Sequence, residues 1–161
     1  MAFTIDGTNG LTFNNATTQN SGSKVLQVVN AVLTTASVSS VSSTLADTGL
    51  TATITPLFST SKILVLVDMG GCDKTGANTY MKLVLNRGAT GIYNMESQAG
   101  YNTVTTENSF GAYSCNYLDS PATTSATTYK VQFSNATATG TVYVNVGSGS
   151  NSSITLMEIA A

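Results

Sequence analysis

The chain of 161 residues contains no histidine and no tryptophan, only two prolines and two cysteines, and just 9% charged residues. Without histidine there is no Ser-His-Asp or Cys-His arrangement, no His-ligated zinc and no imidazole base, so ordinary hydrolase chemistry loses its commonest proton carrier. The six cations (Lys24, Lys62, Lys74, Lys82, Arg87 and Lys130) never stand side by side, and the net charge is -2. Such a chain offers no footprint for a phosphate backbone, which argues against nucleic acid as a partner. Its longest apolar run, Ile63 to Val67, falls far short of the roughly 20 residues of a membrane helix, so no membrane partner is expected. The opening MAFTIDGTNG carries no basic-then-apolar signal segment, which predicts a soluble chain made in the cytosol. Cys72 and Cys115 allow one disulfide, although a cytosolic origin and a chain of this length argue for two reduced thiols.

What replaces charge is neutral polarity: 27 Thr, 19 Ser and 14 Asn make up more than a third of the residues. The length suits one domain. Residues 1–24 stand apart, because single apolar residues (Phe3, Ile5, Leu11 and Phe13) alternate with polar ones and are punctuated by the turn dipeptides DG and NG. These pieces are too sparse to form a core and read as an extended arm that orders against another surface, such as a neighbouring copy. Residues 25–161 form the second unit. Its apolar residues come in short runs rich in Val, Ile, Leu, Thr and Tyr, separated by Gly, Asn and Ser clusters, which predicts about nine strands.

The expected strands are 25–34, 50–56, 62–69, 79–86, 90–96, 110–118, 127–134, 141–146 and 152–159, with 34–48 an irregular connection because its Ser and Thr content opposes a helix. Tyr129, Val131 and Phe133 alternate with Lys130 and Gln132, and Val142, Val144 and Val146 with Tyr143 and Asn145, so these strands have one wet face. Ile63 to Val67 is apolar on both faces and should be a central strand covered on its second side by another sheet, the arm or another subunit. The sum is an all-β fold, an antiparallel β-sandwich of the jelly-roll kind preceded by the N-terminal arm.

Carboxylates are the conventional catalytic groups that remain. Asp68 and Asp73 flank GGC, and Glu96 and Glu107 lie in or near a Gly/Asn/Thr-rich loop, but no spacing demands a glycosidase pair and solvated loop charges are the simpler reading. The stretch DMGGCDKTG could offer oxygen ligands to calcium, yet it lacks the tightly spaced acids of a dedicated loop. No GxGxxG opens a helix and no GK[ST] occurs, so phosphate cradles are absent. The chain is therefore read as no enzyme, with no catalytic residues, no metal and no cofactor. Among seven tyrosines, Tyr93 and Tyr101 beside the 97–109 loop are the candidates for surface recognition, since Tyr stacks while keeping a wet tip. Glu158 sits in the otherwise apolar SITLMEI and should lie at an edge or pair with Lys62, Lys82 or Arg87.

Two stretches carry a resemblance. GLTFNNATTQ in the arm resembles a segment found in tail-fibre and other virion proteins of bacteriophages, cyanophages especially. The body, with DTGLTATITPLFSTSKILVLVD, YLDSPATTSATTYKVQF and SSITLMEI, is similar to a family of phage structural proteins whose domains look like the trimeric jelly roll of tumour necrosis factor and complement heads. Asn14-Asn15-Ala16 stands where the arm motif usually has DG. The resemblance implies a homotrimer located in the virion and assembled in the host cytoplasm. It further implies a capsid decoration or cement protein that binds the major capsid protein, with Phe3, Ile5, Leu11 and Phe13 anchoring the arm to capsid or sister subunit. The alternative it leaves open is a tail or head fibre whose Tyr93 and Tyr101 contact host glycan.

Overall fold

The computed structural model describes residues 24–35, 37–104, 107–147 and 149–161, together with the backbones of three short N-terminal strands. Those strands, β1 (Thr4–Asp6), β2 (Gly10–Thr12) and β3 (Thr18–Gln19), pair antiparallel in a sheet of their own. The body follows as β4 (Val25–Leu33), β5 (Val38–Ser40), β6 (Ala46–Ile54), β7 (Lys62–Thr75), β8 (Met81–Arg87), β9 (Thr90–Ala99), β10 (Glu107–Asp119), β11 (Thr127–Asn135), β12 (Val142–Val144) and β13 (Ser152–Ile159). The described residues contain no helix.

One sheet runs β4-β13-β7-β10 and the other β6-β11-β8-β9, with every neighbouring pair antiparallel. These two four-stranded orders are the paired Greek keys of a jelly roll. The short β12 continues the line of β13 beside the far end of β7, and β5 pairs with it. The stretch 34–48 thus contains a strand that its serines conceal, and β6 begins at Ala46 and not at Leu50.

Period-two alternation fills the space between the sheets. Ile63, Val65, Leu83, Leu85, Tyr129, Val131, Phe133 and Leu156 are fully enclosed there, and burying each such aliphatic or Phe side chain is worth about 1.5–3 kcal/mol. Lys130 and Gln132 remain on the wet side of β11, where Asp47 accepts from Lys130 at 2.8 Å and from Gln132 at 2.7 Å. Gln132 in turn accepts from Asn86 at 2.6 Å. The outer face of this second sheet is thus laced with polar contacts.

Two irregularities shape the frame. In β6 the register slips opposite Val131, and the Thr48 hydroxyl donates to the Val131 carbonyl at 2.8 Å in place of a backbone amide. In β7 the Gly70-Gly71 pair, just beyond the expected strand end at residue 69, lies inside a continuous strand. Asn145 and Val146 donate their amides to the Gly70 and Gly71 carbonyls, both at 2.9 Å. Gly71 has φ +55°, and any Cβ there would sit 2.4 Å from the Val146 carbonyl oxygen, so only glycine permits the crossing. The alternation expected through Val146 stops at Val144. Asn145 is buried with φ +60° and uses its amide to donate to the Leu33 and Thr35 carbonyls.

Candidate functional site

The inward rows of β8, β10 and β11 end together at one mouth of the sandwich in Arg87, Asp119 and Tyr129. Arg87 Nη1 lies 2.8 Å from both Asp119 oxygens, and the Tyr129 hydroxyl donates to Asp119 Oδ2 at 2.6 Å. Tyr129 is fully enclosed and Asp119 nearly so, whereas a third of the Arg87 side chain meets solvent. Burial and the adjacent carboxylate push the Tyr129 phenol well above its ordinary pKa, so it stays protonated and donates. A cavity of about 370 Å³ opens in front of Arg87, walled by Gly88, Pro121, Thr123, Thr127 and Thr128.

Glu158 lies in the same cross-strand row, because Ile63 pairs with it on one side and with Asp119 on the other. The expected cation is not its partner. Gln27 donates to it at 2.6 Å, and the Leu57 and Phe58 amides donate at 2.8 and 3.3 Å. Burial alone would raise the carboxyl, but these donors outweigh it and hold the group below the usual range. A carboxyl whose folded pKa is depressed stabilises the fold above its unfolded value, near 4.5, and loses that contribution as pH falls through the folded one. Urea unfolding at pH 7 and pH 3 is therefore expected to show a steeper acid loss for the native chain than for Glu158→Gln. Parallel losses would rule out this carboxylate as an acid-sensitive element.

At the opposite mouth the cation is Lys74. It is fully buried, donates from Nζ to the Thr79 carbonyl at 3.0 Å, and burial pulls its pKa down. Nothing in DMGGCDKTG marks this lysine as interior, since only the strand parity of Cys72 and Lys74 turns it inward.

The remaining candidate residues fall in separate places. Phe3 and Phe13 lie outside the described residues, and Ile5 and Leu11, described by backbone alone, face each other across β1 and β2. Tyr93 is inside β9 and stacks on Tyr117 with centroids 5.3 Å apart, while Tyr101 meets Tyr80 edge-on at 5.8 Å. They form two aromatic pairs and not one cluster. Glu96 accepts from the amides of Ser97 and Gln98, which ties its own turn, and Glu107 is described by its backbone opposite Thr75. Asp73 accepts from the Lys74 amide at 2.6 Å. Among the described residues no three His, Cys, Asp or Glu side chains converge as a metal site would require. Cys115 pairs with Val67 and Cys72 with Gly111, positions five residues apart along β7, or about 16 Å. That is beyond the reach of a disulfide, and both cysteines are free. Burial pushes their thiols up to about 12 for Cys72, where the Asp68 charge adds to it, and about 11 for Cys115.

A further surface emerges only from the strand order. On the outer face of the first sheet Val28, Met157, Leu64 and Leu118 stand in one cross-strand row. Val28 is 54% and Leu118 49% exposed, and Leu66 adds to the row on β7, where the next cross-strand row is otherwise polar with Asn30, Thr155 and Asn116. Both-sided apolarity in ILVLV signals a central strand with a covered second face. The strand is central, and within this chain's described residues the second face is left partly open.

No family model matches the chain, and no curated protein matches it. Solved structures do show similarity. A chain in the structure of infectious bursal disease virus, Gx strain, aligns over all of this chain and 43% of its own length at 13% identity, with a TM-score of 0.39. A chain from the Gt strain aligns over all of this chain and 41% of its own at 13% identity, with a TM-score of 0.35. The present chain thus spans less than half the length of those viral chains.

Proposed function

We propose that this protein is a non-enzymatic structural component of a phage virion, a decoration protein that covers the head lattice as a homotrimer. The carrying observation is the apolar row of Val28, Met157, Leu64 and Leu118 on an open sheet face. Contiguous exposed apolar surface on a soluble domain marks a protein contact, and a flat face suits another protein surface where a cleft would suit a small molecule. The uncharged Thr/Ser/Asn exterior and the resemblance to phage structural proteins support the same reading. In this role the face joins the copies, and the N-terminal arm, with Phe3, Ile5, Leu11 and Phe13, grips the major capsid protein or a sister subunit. Assembly takes place in the host cytoplasm.

Light scattering on the purified chain tests the contact. A trimer that becomes a folded monomer in Val28→Asp/Leu118→Asp is expected, and a wild-type chain that is monomeric at micromolar concentration would overturn the assembly. Deleting residues 1–23 is expected to leave a folded trimer that no longer binds capsids, and retained binding would remove the anchoring role. A copy number per virion comparable with the major capsid protein marks a lattice cover. A small fraction of it would favour the second reading, a fibre whose tyrosines meet host glycan.

A further inference from the structure

The polar mouth at Arg87 has no part in the assembly just proposed, and its construction differs from a solvated surface pair. Asp119 engages the guanidinium through Nη1 alone, so its other donors are not taken by the carboxylate, and Arg87 is among the residues that line the cavity. Because Tyr129 holds Asp119 from the interior at 2.6 Å, the arginine is oriented by two buried groups from two other strands. Such preorganisation lowers the ordering cost of binding a ligand.

The outer wall is equally fixed. In the 120–126 loop the Thr123 hydroxyl accepts from the Ser125 amide and the Thr127 hydroxyl donates to the Ser125 carbonyl, both at 3.0 Å. Between Pro121 and Thr123, Ala122 is held at φ +52°, a left-handed conformation that residues with a Cβ rarely adopt and that is found at ligand clamps. Two positions inward along the strands are the stacked rings. Tyr117 precedes Asp119 by two residues on β10, and Tyr93 pairs with Leu85, two residues before Arg87. Tyr93 is 39% exposed.

A fixed guanidinium and a wall of threonines combine a planar donor for a carboxylate with partners for hydroxyls, while the tyrosine pair lies two positions inward along the strands and outside the cavity's lining. The cavity's one cation is already paired on its inner side, which suits a single negative charge better than a phosphate dianion. We propose that the cavity at Arg87 binds a carboxylate-bearing sugar. The inference is independent of the assembly reading, since either a decoration protein or a fibre can carry this mouth on its outward surface.

Amide-resolved NMR titration of the full chain with glucuronate, glucose and acetate tests it. Glucuronate is expected to give saturable shifts confined to Gly88 and residues 122–128, with glucose and acetate at least tenfold weaker. Arg87→Lys, which keeps the charge but not the fork, and Thr123→Val on the loop should each weaken glucuronate several-fold while the spectra remain folded. Absent shifts, shifts elsewhere, or undiminished binding in both folded variants would overturn the site. Glucose as strong as glucuronate would overturn the carboxylate assignment, and acetate as strong would reduce the site to an adventitious anion pocket.

Discussion

Gly71→Ala is expected to destabilise the protein by about 3 kcal/mol, read as a shift of the urea midpoint without a change in slope. Two effects combine. Gly71 has φ +55°, which costs an alanine about 1 kcal/mol, and the new Cβ would lie 2.4 Å from the oxygen and 2.5 Å from the nitrogen of Val146. Those are backbone atoms, held by the hydrogen bond between the Val146 amide and the Gly71 carbonyl, so no flexible side chain can give way. Gly88 supplies the control, with φ +58° and nothing within 4 Å of the place a Cβ would occupy. Gly88→Ala should therefore show only the dihedral part. Equal losses at the two sites would mean that the β7 crossing relaxes easily and that the close approach at Gly71 is not what demands glycine.

Asp119→Ala should cost about 2–3 kcal/mol. The substitution leaves the Tyr129 hydroxyl, enclosed at the end of the inward row, without its acceptor, and it leaves Arg87 without its counter-charge. The arginine is partly exposed, so solvent screens its share and the phenol carries most of the penalty. Tyr129→Phe in the same background should recover part of the loss, because removing the donor as well as the acceptor leaves nothing unsatisfied. Full additivity of the two substitutions in thermal or urea unfolding would show that the hydroxyl and the carboxylate act separately.

Much of the frame is legible in the sequence because strand parity is a strong signal. Tyr129, Val131 and Phe133 alternate and are enclosed, and ILVLV is the central strand its two-sided apolarity requires. The failures have physical causes. Gly70-Gly71 falls beyond the expected strand end because glycine marks turns and close approaches alike, and only the position of Val146 distinguishes them. Ser39 and Ser40 hide β5, whose pairing with β12 overrides its weak propensity. Glu158 finds amide donors from Gln27 and the 57–58 loop in place of a lysine or arginine, since loop amides carry no sequence mark. The Arg87 mouth and the apolar outer row both depend on which strands lie side by side, and registry across distant segments is not written in any one of them. Tyr93 stands out in the sequence beside Tyr101, but its neighbours in space are Tyr117 and, across the strand, Leu85.

The position of β13 bears on how the chain is made. It is the last strand in sequence, yet it lies between β4 and β7, and its end meets the start of the body where the Ala160 amide donates to the Lys24 carbonyl at 2.8 Å. Until β13 emerges from the ribosome, the first sheet is split, with β4 separated from β7 and an unfilled slot between them. Nascent chains tethered short of Ser152 should therefore remain sensitive to protease, because the two parts of that sheet join only once β13 fills the slot.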